Sequence, residues 1–166
     1  MRTIDEMKTN RRQALSRMAQ GLLVAGAVPA AFGADPWAES ELIKPADLAK
    51  QMETGSAPPI ICVAFPVLYR QRHIRGAKYA GPGNKPEGIK ELEVLAAALS
   101  KDSDVVIYCG CCPMKDCPNI RPAYETLKRM GFKAIRVLNI PNNMHNDWTT
   151  KGYPSEPPQE PRTPAA

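Results

Sequence analysis

Val105-Val106-Ile107-Tyr108-Cys109-Gly110-Cys111-Cys112-Pro113-Met114-Lys115-Asp116-Cys117-Pro118-Asn119 joins a β-branched apolar run to a loop of Cys, Gly and Pro, and it holds four of the five cysteines in the 166-residue chain. Ile120, Ala123, Tyr124 and Leu127 follow at helical spacing. The pattern predicts a buried strand over 104–108, then the loop, then a helix over 120–130. Cys109 therefore stands at the carboxyl end of a strand just before a helix, the place where open α/β sheets bind their ligands. Loop N–H groups and the positive end of the helix favour negative charge there. Both favour the thiolate, which is the reactive form of cysteine.

Working outward, Pro45 is expected to start a first helix with Leu48, Ala49 and Met52 on its apolar face and Gly55 past its end. Ile60-Ile61-Cys62-Val63-Ala64 is expected to be a buried strand, and residues 68–73 a loop with a helical turn. Residues 77–80 form a weak strand closed by Gly81-Pro82-Gly83, and residues 91–100 a helix with Leu92, Leu95 and Leu99 on one face. Gly131 is placed to end the helix over 120–130. A strand is expected over 133–138 and a helical turn over 142–148. The alternation of short strands and helices reads as α/β, a central parallel sheet with helices on both faces.

The first 33 residues read as a targeting segment. Arg11 and Arg12 precede a short Ala- and Gly-rich apolar stretch interrupted by Gln20 and Pro29, and Ala31-Phe32-Gly33 fits a small-x-small cleavage rule. The arginine pair points to a twin-arginine signal and a periplasmic destination, with no stable membrane association after processing. The expected organisation is a signal at 1–33, a mobile lead-in at 34–44, one domain at 45–154 and a Pro-rich disordered tail at 155–166. Without residues 1–33 the chain keeps 17 basic and 15 acidic residues, a net charge of +2. The basic character belongs largely to the signal. No stripe of Lys and Arg with interleaved aromatics is present, so nucleic acid is not an expected partner. Export implies an oxidising compartment, where an odd cysteine count suggests a free thiol or a metal site.

These motifs together resemble the rhodanese-like sulfurtransferase family. The strand ending in Cys109 is similar to the one that delivers the family's catalytic cysteine, and His73-Ile74-Arg75-Gly76-Ala77 looks like its H-I-x-G-A signature. Setting His73 on that histidine puts Tyr69 on the family's aromatic position, Cys62 on the aspartate of D-V-R and Ala64 on its arginine. Leu127-Lys128-Arg129-Met130-Gly131-Phe132 is similar to the L-x-x-x-G-F that closes the active-site helix. Trp148 and Gly152-Tyr153-Pro154 resemble the W…GYP ending. The resemblance covers residues 45–154 and implies a three-layer rhodanese-like domain. It implies a sulfurtransferase in which Cys109 takes sulfane sulfur from a small anionic donor such as thiosulfate, carries it as a persulfide and yields it to a thiol acceptor. Loop amides would stabilise the anionic persulfide, and no cofactor is required.

Two departures from the family stand out. Nine residues separate Cys109 from Asn119, where the usual loop has about five, and Cys62 and Ala64 replace the Asp and Arg pair. Phosphatases with lengthened loops use C-x5-R; here Lys115 stands at that position and Arg121 is the first arginine downstream.

The expected persulfide- or substrate-binding loop is Gly110, Cys111, Cys112, Lys115, Cys117, Asn119 and Arg121. Lys115 and Arg121 would hold the anionic donor, or are solvated charge. Asn119 would cap the helix. His73 is read as holding its loop by hydrogen bonds, His145 as a turn residue, and Cys62 as a buried small residue or redox partner. The bland reading of Cys109 is an inert cysteine at a strand end. The alternative function is a non-catalytic module on the same fold. It would bind Cu(I) or Zn through Cys109, Cys111, Cys112 and Cys117, or pair Cys109 or Cys112 with Cys117 in a disulfide. An exported redox protein is a further expected partner.

Overall fold

The computed structural model describes residues 37–157. The expected signal at 1–33 and residues 158–166 of the expected tail lie outside the described residues. Seven strands are present among the described residues: β1 (Leu42–Ile43), β2 (Ile60–Cys62), β3 (His73–Ile74), β4 (Lys78–Tyr79), β5 (Asp104–Tyr108), β6 (Ala134–Leu138) and β7 (Ser155–Glu156). Four α-helices join them: α1 (Pro45–Glu53), α2 (Pro66–Gln71), α3 (Pro86–Ala97) and α4 (Ile120–Arg129).

Five strands form one parallel sheet in the order β1-β6-β5-β2-β4, with β5 at its centre. Chain progress runs one way across the sheet through α1 and α2 and returns through α3 and α4. Because parallel crossovers are right-handed, the two pairs cover opposite faces; α3 and α4 pack against each other accordingly. Both faces of β5 are thus covered, which is why Val105, Val106, Ile107 and Tyr108 are all apolar or aromatic and at most 1% exposed. Leu92 and Ala96 of α3 and Ala123 and Leu127 of α4 complete the core with no exposure at all.

Four elements depart from the sequence reading, two of them for a local reason. Helix α3 starts at Pro86 rather than 91, because proline at the first helical position presets the helical φ and has no N–H to leave unpaired. The same device at Pro66 makes a six-residue helix of the expected loop. Ser155 and Glu156, expected in a disordered tail, form β7 antiparallel to β3, with Ile74 opposite Ser155 and His73 opposite Glu156. The expected lead-in also supplies structure: β1 is an edge strand on β6, and the Trp37 ring meets Tyr124 edge-on at 5.0 Å.

Candidate active site

Cys109 follows β5 directly, is 4% exposed, and stands at the base of a cleft of about 520 Å³. Gly110 and Cys111 form one wall with it, and Met144 and His145 face them from the segment after β6. Tyr69 and Arg72 close the side nearest α2. Among the described residues the lining contains Arg72 and His145 and no carboxylate, so the cleft is electrostatically suited to a small anion. The sequence reading had neither residue in the site. Arg72 was legible in hindsight as the residue immediately before the His73 signature. His145 comes to the cleft only because residues 145–149 coil into a π-helical turn.

Three N–H groups in the far half of the lengthened loop are spent on backbone carbonyls: Met114 N–H donates to the Ile140 carbonyl at 2.8 Å, Asp116 N–H to Pro113 at 3.0 Å and Cys117 N–H to Met114 at 3.2 Å. Side chains also meet Cys109. Cys111 Sγ is 3.2 Å from Cys109 Sγ, and the Asn119 amide donates from Nδ2 to Cys109 Sγ at 3.3 Å. Cys111 Sγ lies 3.1 Å from Cys112 Sγ and 3.9 Å from Cys117 Sγ. The sulfurs of Cys109, Cys111 and Cys117 all lie within 4.8 Å of one another. All five cysteines are free thiols, with no disulfide among them.

Asn119 does not cap α4 with its side chain. It is completely buried, and its Oδ1 accepts the Asn84 N–H at 3.1 Å while Nδ2 meets Cys109. The side chain is thus fixed at both ends, between the Gly83–Asn84 turn and the sulfur. Its own backbone is already helical, at φ −81° and ψ −29°, rather than in the extended conformation of a capping residue.

The neighbouring thiols are held protonated. Burial pushes Cys111 up to about 12, and burial also raises Cys112. Cys117 is raised first by its hydrogen bond to Cys109 and then by burial. On β2, burial pushes Cys62 up to about 11; it sits beside Tyr108, with which it is in register, and lines the cleft. Cys109 thus sits in a chain of thiols: it donates to Cys111 Sγ and accepts from Cys117 and from the Asn119 amide.

The two expected anion-binding cations are elsewhere. Lys115 is 76% exposed and paired with Asp116 at 2.6 Å, outside the cleft. The Arg121 guanidinium lies 3.7 Å from the Trp37 ring centre, a cation–π contact on the far side of α4's first turn, and does not line the cleft. Cys112 and Cys117 line a void behind the loop that is too narrow for a water molecule, so of the loop thiols Cys111 shares the open cleft with Cys109. His73 is structural: it stacks on Tyr69 at 3.8 Å, and its ring nitrogens meet the Tyr69 carbonyl and the Glu156 carboxylate, each at 2.9 Å. That contact is what ties β7 to the signature.

Comparison with known proteins agrees with this fold. The model of the rhodanese-like domain matches residues 44–140. The solution structure of the rhodanese-like domain of the Alr3790 protein from Anabaena sp. is similar at 25% identity and a TM-score of 0.54, over 76% of this chain and 86% of that one. The BH2092 protein from Bacillus halodurans matches at 24% identity and a TM-score of 0.56, over 71% of this chain and 77% of that one. A persulfide form of EanB solved with ergothioneine shares the fold at 20% identity and a TM-score of 0.53, over 70% of this chain and 28% of that one. No curated protein sequence matches significantly. A central cysteine at the end of β5, the His73 signature beside it and the matching family model lead to one conclusion: this chain belongs to the rhodanese-like domain family.

Proposed function

We propose that the protein is a sulfurtransferase with Cys109 as the sulfur carrier, exported by the twin-arginine route and working in the periplasm. The carrying observation is that Cys109 lines a cleft whose lining, among the described residues, has an arginine and a histidine but no carboxylate. Such a cleft attracts a small anionic donor such as thiosulfate. The Cys109 thiolate attacks the donor's outer sulfur, the S–S bond of thiosulfate breaks, and sulfite leaves with the bonding pair. The persulfide left on Cys109 is an anion within reach of the Asn119 amide and the Cys111 thiol. A thiol then removes the outer sulfur, which splits the transfer into two easier steps.

The test is anaerobic purification, addition of thiosulfate, and intact mass with peptide mapping. The expected outcome is one added sulfur on the Cys109 peptide, absent in Cys109→Ser. A Cys109→Ser chain with full transferase activity refutes the assignment.

One observation favours a second reading, a soft-metal or thiol-redox module with an exported redox protein as partner. Three sulfurs within 4.8 Å of one another suit Cu(I) held by thiolates better than a four-ligand zinc site, since Cys112 is not in that group. Stoichiometric metal retained through purification, with no sulfur uptake, selects that reading.

A further inference from the structure

Gly110 sits between Cys109 and Cys111 with φ +79°, a conformation that L side chains rarely adopt, and a Cβ there would come within 2.9 Å of Met144 Cβ. The chain therefore turns sharply at this residue and brings the two flanking sulfurs to 3.2 Å. That separation is within the range of reacting atoms in a near-attack geometry. Both residues line the same cleft, and Cys109 also borders the closed void lined by Cys112 and Cys117. Cys117 also hydrogen-bonds Cys109, but it lines the closed void rather than the open cleft and accepts the Asn119 backbone N–H.

We propose that Cys111 is a resolving thiol for the Cys109 persulfide, so that the chain releases the transferred sulfur as sulfide and ends as a Cys109–Cys111 disulfide. This rests on Cys109 being the sulfur carrier. Cys111 Sγ attacks Cys109 Sγ, the persulfide S–S bond breaks, and the outer sulfur leaves with the bonding pair. The Cys111 proton passes to that leaving sulfur, giving hydrosulfide. The sulfane sulfur is reduced and the two cysteine sulfurs are oxidised, so the step needs no outside oxidant. A dithiol reductant from solution restores both thiols for the next turnover. The acceptor that the ordinary transferase takes from solution is thereby built into the loop, and the net reaction is reductive release of sulfide from thiosulfate at the expense of a dithiol.

The experiment is a single turnover of the full chain, reduced and freed of reductant under anaerobic conditions, with one equivalent of thiosulfate. Sulfite and sulfide are measured, and the cysteine peptides are mapped. The expected result is one equivalent of each, with Cys109 and Cys111 joined. Cys111→Ser is expected to release one equivalent of sulfite, hold the sulfur on Cys109 and slow sulfide release at least tenfold relative to its own sulfite release. Three results overturn the proposal: a wild-type chain that keeps a stable persulfide beside a reduced Cys111, sulfur moved onto Cys111 without sulfide, or Cys111→Ser releasing sulfide at the wild-type rate. Absence of sulfite from both chains removes the carrier role itself, and this proposal with it.

Discussion

Asn119 offers the sharpest test of how the site works, because its side chain does two jobs. Oδ1 accepts the Asn84 N–H at 3.1 Å, and Nδ2 donates to Cys109 Sγ at 3.3 Å, from a completely buried position. Truncation to alanine removes both. Asn84 is exposed, so water can replace the lost acceptor, and the fold should lose only about 1 kcal/mol from that bond. The sulfur bond is worth more, because its acceptor is charged in the reacting state: about 1.5–3 kcal/mol. At 1.36 kcal/mol per factor of ten, that is a loss of about 10- to 150-fold in kcat/KM for thiosulfate:cyanide transfer. Asn119→Asp keeps an oxygen for the Asn84 N–H but turns a buried, unpaired carboxylate toward the sulfur, so activity should fall at least as far as in Asn119→Ala and thermal stability should fall as well. Steady-state cyanolysis and thermal unfolding on the same preparations measure both. An Asn119→Ala chain within threefold of wild type in kcat/KM, or an Asn119→Asp chain that keeps activity, would show that the amide does not support the charged sulfur.

Two further outcomes are expected. Gly110→Ala should cost about 1–2 kcal/mol for the left-handed backbone, with added strain against Met144 Cβ, and should disturb the Cys109–Cys111 approach. Thermal unfolding and the rate of sulfide release check it, and a variant unchanged in both would exclude a required turn at this residue. Glu156 is held below the usual carboxylate range, first by the Gly76 N–H on Oε1 at 2.8 Å and then by His73. A carboxylate lowered in the folded state contributes stability above its unfolded pKa, lost as pH falls through the folded one. Unfolding followed from neutral pH into the acid range should therefore show a smaller stability loss in Glu156→Gln than in wild type. Parallel curves would mean that the β3–β7 contact has no ionic part.

The sequence by itself determined the inner strands of the sheet, the position of Cys109 and the helix that follows. These are local or periodic features: an unbroken apolar run from Val105 to Tyr108 can satisfy its backbone and side chains only as a central strand buried on both faces. The i, i+3, i+4, i+7 spacing from Ile120 can bury only one helical face, and Gly131 with φ +90° ends it where expected. What the tertiary structure decided is which polar groups surround the sulfur, because that depends on contacts between residues far apart in sequence. Asn119 reads as a helix cap until the fold closes over it and aims it at Cys109 and Asn84. Lys115 and Arg121 read as anion binders by their nearness to the loop, yet one pairs with Asp116 in solvent and the other lies on Trp37, whose own place is fixed by Tyr124. Arg72 and His145 enter the cleft because α2 and the segment after β6 converge on the carboxyl end of β5. Glu156 joins the fold through His73, 83 residues earlier, a pairing that carries no local signal. Periodicity can be read along a chain; the charge around a buried sulfur can be read only after the chain has folded around it.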